Sequence, residues 1–513
     1  MEQKAEKVFI FSIFFAFLIK SILAIIIPIT GDEAYFVLWA KHLDFGYYDH
    51  TPLVGWILSI MLFFGSSEFI VRFPAIISSI LVGIGIYLII KPYDKIKACL
   101  ISTLFIVSPI SILNFLISTD TPLIISSFFS GYFLFLALNR KNYFFYFIAG
   151  IFLGFAFLSK YLAVLIGLTY LVYFIFTEKR KDKTLGFIIL FISIIPFAVV
   201  NIYWNYTHDW ANIMFNMFSR TKKESIPALY FLFGSTKEFG VSFLKLFIFI
   251  LVQLYLFTPP ILYYLFKKRK ELLTKLKIAD NFLVFFYIFI IPLLFYAFLS
   301  IKKSVSPLWM FYFYSFLFVL LYLYLSEMEL TKSIEFMVLF TLIHLIFISA
   351  VLSIPPKYFK NNSSYYEIIQ GMKTKTVLYN LKPFEKDFVL TTPSYTDSAI
   401  LYFHSGIYFP VFDGGTLHGR QDDFITDYKL FSGKNILVLK KRLPEKERYE
   451  KFFKKYEVKQ FEVEGAVFYI VLGYDFNFNN YRDIVLKDIK DKFYSVPKFL
   501  PTKSDYFKEK YFS

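Results

Sequence analysis

The chain has 513 residues, of which 57% are hydrophobic and 22% aromatic, including 69 Phe and 39 Tyr; its mean hydropathy is +0.56. That profile excludes an ordinary soluble protein, and repeated apolar runs of about 20 residues read as transmembrane helices. The net charge of +16 does not signal nucleic acid, because most lysines sit in short loops between apolar runs, and the single cysteine, Cys99, excludes an intrachain disulfide or a thiolate metal cluster within one chain.

Eleven spans are predicted, over residues 8–28, 72–90, 98–117, 121–138, 143–158, 161–176, 185–204, 239–266, 282–300, 307–326 and 333–353. The first is an anchor rather than a cleaved signal, being too long and lacking a small-residue cleavage site. Residues 53–64 are apolar but short, and are read as a helix along the interface. Alternate loops are basic: Lys91, Lys95 and Lys97, then Arg140 and Lys141, then Lys179, Arg180, Lys181 and Lys183, then six lysines and arginines between 267 and 277. The positive-inside rule puts these loops and the amino terminus in the cytoplasm. The other face then receives 29–71, 118–120, 159–160, 205–238, 301–306 and everything after Ile354. The expectation is a polytopic α-helical protein of the cytoplasmic (inner) membrane. Residues 1–353 form its transmembrane domain, with a catalytic first external loop at 29–71, and 354–513 form a small soluble extracytoplasmic α/β domain.

In that last domain, 388–392 reads as a buried strand, 394–404 as a helix capped by Ser394, and 407–412 as a second strand closed by Asp413-Gly414-Gly415. A loop is expected at 418–422, a third strand at 435–439 and a charged helix at 445–456. The runs 458–463 and 466–472 alternate about Glu464-Gly465, a hairpin signal. No Gly-rich phosphate loop is present, so no nucleotide site is assigned.

The chemistry-bearing residues gather on the outer face. Asp32-Glu33 leaves the first span as a pair of adjacent acids, and Asp49-His50 follows. One acid at a helix start is explained as a cap; two, with a further acid and a histidine downstream, are not. Asp32 is suited to accept a proton from an attacking hydroxyl. Asp120, with Pro122 behind it, reads alone as another cap, or as an acid that holds sugar hydroxyls. Lys160 occupies a corner of almost no length between two spans, and Lys302 and Lys303 lie in another short outer loop. Each alone reads equally well as a snorkelling lysine, but their convergence with acids points to an anionic ligand such as a phosphate. Trp204 and Trp210 suit an interfacial belt. His208-Asp209 lies between them; with Asp49 and His50 it could hold a divalent ion, although no helical ligand spacing supports one. Lys20 and His344, inside the first and last spans, read as snorkelling or packed side chains.

These residues resemble the polyprenyl-phosphate-sugar-dependent glycosyltransferases. The closer resemblance is to the protein O-mannosyltransferase and lipid A aminoarabinose transferase-like family, glycosyltransferase family 39, with the C-type membrane fold. It is carried by Asp32-Glu33, by Gly46-Tyr47-Tyr48-Asp49-His50-Thr51-Pro52-Leu53, and by Arg72 in Val71-Arg72-Phe73-Pro74. Thr119-Asp120-Thr121-Pro122, Leu158-Ser159-Lys160-Tyr161, Trp204-Asn205 through His208-Asp209-Trp210, and 304–309 add to it. It covers about 8–326 and continues weakly around Gly419-Arg420-Gln421. Thr51 stands where the family has the first proline of a pair, and His50 where some relatives carry a lysine.

The resemblance implies inverting transfer of a sugar from a polyprenyl phosphate, undecaprenyl phosphate in a bacterium, on the outer face. Asp32 would be the catalytic base. Glu33, Tyr48, Asp49, His50, Asp120, His208 and Asp209 would bind sugar and acceptor, and Arg72, Lys160, Lys302 and Lys303 would bind the donor phosphate. No cofactor is implied with certainty, and a divalent metal at Asp49, His50 and His208 stays open. The acceptor, whether lipid, glycan or protein, is not specified. The competing class is a lipid or polysaccharide transporter without chemistry, but that would place polar groups at membrane depth in paired repeats, and the polar groups here stay at one interface.

Overall fold

The computed structural model describes residues 1–177, 181–219, 243–271, 274–275, 282–302, 305–360, 362, 365–412, 419–497, 500–503 and 505–513. The chain divides into two compact units. One comprises Met1–Ile25, Arg72–Val199 and Lys223–Ile348; the other comprises Ile26–Val71, Val200–Lys222 and Ser349–Ser513.

The first unit is helical, and each predicted span overlaps a helix among the described residues. Among the described residues, six helices are long and apolar enough to cross a membrane: Glu2–Ile26, Glu68–Ile90, Asp120–Arg140, Lys181–Thr207, Leu283–Ser300 and Glu327–Leu352. Tyr143–Ser159, Tyr161–Phe176 and Phe311–Tyr324 are shorter apolar helices. Two predicted spans are broken. Residues 98–117 divide into Lys95–Ile106 and a single turn, Pro109–Ile112, because Ser108 caps the turn and Pro109 occupies its first position. The run read as 239–266 is a bent pair, Phe243–Phe257 and Pro259–Lys267, at 95° to each other; its first residues lie outside the described ones. Pro259-Pro260 supplies no amide hydrogens to continue the helix, and Thr258 takes a positive φ of 62° at the corner. The helices meet through aromatic rings, such as the Phe128–Phe316 stack at 5.7 Å, and through small residues. A Cβ on Gly150 would lie 2.3 Å from the Leu190 carbonyl oxygen, so Tyr143–Ser159 and Lys181–Thr207 touch backbone to backbone there.

The second unit holds a four-stranded mixed sheet in the order β1-β2-β4-β3, with β1 Val389–Thr391, β2 Ile436–Lys440, β3 Phe453–Val463 and β4 Ala466–Phe476. β1 runs parallel to β2, and the other pairs are antiparallel. The expected hairpin forms about Glu464 and Gly465, whose φ values of 48° and 84° are those of a type I′ turn. Ser394 caps Tyr395–Ser405 through the Asp397 amide, as expected.

Three expectations in this unit are corrected. Residues 407–412 contribute one bridge, Val411 to Thr392, instead of a strand: Pro410 has no amide hydrogen, and the Phe409 carbonyl is taken by Ser398 Oγ. The charged helix at 445–456 shrinks to Lys446–Tyr449, because Phe453 onward pairs with β4. The loop at 418–422 contains the start of a short helix, Gln421–Ile425, closed by Asp423 Oδ2 accepting from the Arg420 amide at 3.1 Å; His418 lies outside the described residues.

Candidate active site

The two adjacent acids of the first loop have different tasks. Thr30 caps the helix Gly31–Lys41, and Glu33 closes a capping box by accepting from the Thr30 amide at 3.0 Å and from its hydroxyl at 3.1 Å. Glu33 is buried, whereas Asp32 is exposed. Glu33 is thus the structural acid at the helix start, and Asp32 is the one presented to solvent. The helix also turns Tyr35, Phe36 and Trp39 inward, and Trp39 stacks on Tyr47 at 4.5 Å.

The Gly46–Leu53 motif forms a turn closed by the Tyr47 amide donating to the His50 carbonyl at 3.0 Å. Tyr48 points away from any open surface: its ring packs on Phe215 and Tyr494, and a Cβ on Gly419 would come within 2.7 Å of it. Tyr48, expected to bind sugar, is thus enclosed by packing. Asp49 and His50 are half-buried beside it. Burial pushes the Tyr35 and Tyr395 hydroxyls well above the usual tyrosine range, and the nearby Asp49 adds to both shifts, so both stay protonated as donors. Tyr395 also feels Asp32.

The Trp204–Trp210 motif holds chain to chain. Asp209 takes a left-handed φ of 54° and is buried. Its Oδ1 accepts from the Tyr506 amide at 3.0 Å and its Oδ2 from the Phe507 amide at 3.1 Å, so it ties down the first two amides of the helix Tyr506–Phe512, whose own cap is Asp505. Burial raises the Asp209 carboxyl to about 6, against the two amide hydrogen bonds. Trp210 Nε1 donates to the Pro501 carbonyl at 2.7 Å. His208 stacks on Trp204 at 4.4 Å, and its Nε2 lies 3.8 Å from Asp44 Oδ2. Burial keeps this imidazole below its ordinary pKa despite Asp44. Among the described residues no three His, Cys, Asp or Glu side chains are placed to hold a metal ion, so Asp49, His50 and His208 are not gathered as ligands.

In the helical unit, Asp120 opens its helix and Lys160 ends the helix Tyr143–Ser159. Lys160 Nζ donates to both carboxylate oxygens of Asp120, at 2.9 and 3.1 Å. The two motifs noted separately in the sequence therefore form one group. Arg72 is fully buried, and its Nη1 donates to the Ala24 carbonyl at 2.8 Å. Lys20 is packed, as one of its two readings held, donating to the Ala75 carbonyl and Ser79 Oγ, each at 2.8 Å. Lys302 is exposed, and Lys303 lies outside the described residues.

Sequence reasoning passed over three amides. Asn212 Nδ2 donates to the Tyr47 carbonyl at 2.6 Å, Asn216 Nδ2 to the Asp49 carbonyl at 3.0 Å, and Gln421 Oε1 accepts from the Tyr48 amide at 2.9 Å. The spacing of Asn212 and Asn216, one helical turn, was the available signal.

Residues 49–204 match the family model of dolichyl-phosphate-mannose-protein mannosyltransferases. The segment contains Asp49, Arg72, Asp120 and Lys160. The fold is similar to that of ArnT from Cupriavidus metallidurans: the apo structure aligns at 13% identity with a TM-score of 0.56, over 90% of this chain and 97% of that one. The structure of that protein bound to undecaprenyl phosphate aligns at 12% identity with a TM-score of 0.55, over the same shares. No curated protein matches the sequence. The chain thus has an ArnT-like fold, that of a polytopic membrane protein with a small C-terminal α/β domain.

Proposed function

We propose that the protein is an inverting glycosyltransferase that moves a sugar from a polyprenyl phosphate to an acceptor on the outer face of the cytoplasmic membrane. The observation that carries this reading is the division of labour at Asp32-Glu33: Glu33 is used in the helix cap, and Asp32 is left exposed at the start of the first loop. The family segment and the ArnT-like fold support the donor class, and they do not favour the transporter alternative.

For a hydroxyl acceptor, Asp32 takes the proton as the oxygen attacks the anomeric carbon. The bond from that carbon to the phosphate oxygen breaks on the opposite side, the phosphate keeps the electron pair, and the anomeric configuration inverts. Lys160, Arg72, Lys302 and Lys303 stabilise the charge that grows on the leaving phosphate. Asp120 holds Lys160 in place until the phosphate arrives. Asp49 and His50 contact the sugar, with His208 at the edge of the acceptor side. A phosphate acceptor would need no base, which makes Asp32 the residue that discriminates acceptor classes. In this reading the transmembrane domain spans 1–353, the amino terminus is cytoplasmic, and 354–513 is extracytoplasmic.

The test is transfer by purified protein in lipid vesicles. Undecaprenyl-phosphate-linked mannose, glucose and aminoarabinose serve as donors, and envelope lipids, glycans and proteins as acceptors, with products read by mass. A gain of one sugar on the acceptor, with release of undecaprenyl phosphate, supports the proposal. Donor movement across the vesicle membrane with no chemical change would replace it with transport.

A further inference from the structure

The backbone of the first-loop turn is held by three side-chain amides that come from two other parts of the same compact unit. Asn212 and Asn216 lie one helical turn apart and both act as donors, to the carbonyls of Tyr47 and Asp49. Gln421 acts as an acceptor, for the amide of Tyr48. Three consecutive residues are therefore gripped by three separate side chains, immediately before His50. Each clamp residue is itself fixed. Asn212 and Gln421 are buried. Asn216 Nδ2 also reaches the Asn212 carbonyl at 2.9 Å, and the Gln421 amide donates to Tyr35 Oη at 2.8 Å. Asn205 Oδ1 accepts from the Ile213 amide at 3.1 Å, which ties the donor turn to the end of the helix before it.

A turn of this length has no ladder of its own. One internal backbone bond, between Tyr47 and His50, closes it, and without outside partners so short a turn would sample many conformations. These three amides bond to its backbone, so this part of the loop's geometry does not depend on which side chains stand at positions 49 and 50. That is how a site is built when geometry must be kept while the chemistry at the tip carries the specificity.

We propose that Asn212, Asn216 and Gln421 are positioning residues that hold the Tyr47–Asp49 backbone and so aim Asp49 and His50 at the sugar. This rests on the glycosyltransferase reading for its functional consequence, though not for the clamp itself. The chemistry gives the substitutions opposite signs. Asn216→Asp keeps the size but removes the donor and faces a carboxylate toward the Asp49 carbonyl, so it breaks the grip. Gln421→Glu keeps an acceptor for the Tyr48 amide, whereas Gln421→Met keeps the bulk and loses it.

The experiment is hydrogen exchange at residues 46–50 of the full-length protein in detergent, together with undecaprenyl phosphate binding and sugar transfer, for the wild type, N216D, Q421E and Q421M. In N216D and Q421M, exchange at 46–50 should rise by at least about tenfold, as expected for loss of a hydrogen bond whose partner stays buried. The transfer rate should fall with it while undecaprenyl phosphate binds within twofold of wild type, and Q421E should stay closer to wild type than Q421M. Wild-type exchange in both N216D and Q421M overturns the clamp. Raised exchange with undiminished transfer overturns the positioning role. Raised exchange in variants of a protein that transfers no sugar leaves the clamp standing and removes the enzyme reading instead.

Discussion

Lys160 holds Asp120 by both carboxylate oxygens, at 2.9 and 3.1 Å. The lysine and aspartate side chains keep 13% and 20% of their exposure, so the pair is partly wet and its net contribution to stability is modest. In the proposed reaction its interest is functional: Lys160 exchanges the carboxylate for the donor phosphate. Lys160→Met and Asp120→Asn should each reduce transfer by about tenfold or more, and the double variant should lose less than the product, with a coupling of about 1 kcal/mol. A double-mutant cycle on transfer rates, with unfolding midpoints as control, checks this; strictly multiplicative losses would separate the two residues.

Asp32→Asn should abolish most transfer to a hydroxyl acceptor, by about 10²–10⁴-fold, the usual contribution of a positioned base. Asp32 is exposed and lies outside the Thr30–Glu33 capping box, so the variant's thermal unfolding midpoint should fall less than that of Glu33→Gln. Glu33→Gln should show the reverse pattern, a lowered midpoint with activity that tracks the folded fraction.

The pH dependence of stability carries two opposing slopes. Asp209 holds its proton up to about 6 in the folded state, against about 3.9 when unfolded. Between those values the folded chain binds more protons, so this group's contribution to stability is lost as pH rises through the window. His208 has a folded pKa below its ordinary value, so the unfolded state takes up a proton first on acidification, and its contribution is lost as pH falls below about 6.5. Between pH 4 and 8, unfolding midpoints should fall more steeply with rising pH in His208→Asn, where only the Asp209 slope remains, and should rise with pH in Asp209→Asn, where only the His208 slope remains.

Gly419→Ala should destabilise the protein by about 1–3 kcal/mol, the usual cost of overpacking. The added methyl group would sit 2.7 Å from the Tyr48 ring, which is itself enclosed. Because Tyr48 adjoins Asp49, the same variant should lower transfer. Denaturant unfolding and kinetics on one preparation test both effects, and a variant that is neutral in both would show that the ring can move.

Much of the helical architecture is legible from hydropathy alone, since a span is a long local signal. Breaks within spans are less so: Pro259-Pro260 announces the corner at Thr258, but a 28-residue apolar window hides it. The hairpin at Glu464-Gly465 was readable because turn chemistry is local. The segment 407–412 misled because apolar residues in an extended, buried stretch look like a strand whether or not a neighbour offers a ladder. At the candidate site, charged residues were easy to find and neutral ones were not. Asp120 and Lys160 could be matched by type, whereas nothing local to Asn212, Asn216 or Gln421 says that its partner is a backbone group more than 160 residues away. Asp209 shows the same limit, since its partners are amides with no sequence signature.

The hydrogen bond that Asp209 accepts from the Tyr506 amide spans 297 positions. During synthesis, then, the stretch around Trp204–Trp210 emerges long before the amides that complete it, and it must wait for about three hundred further residues. Its buried carboxylate would meanwhile be solvated, and the segment would settle last although it was made early. A chaperone or a quality-control protease that samples nascent chains should find this stretch accessible until residues 501–512 arrive.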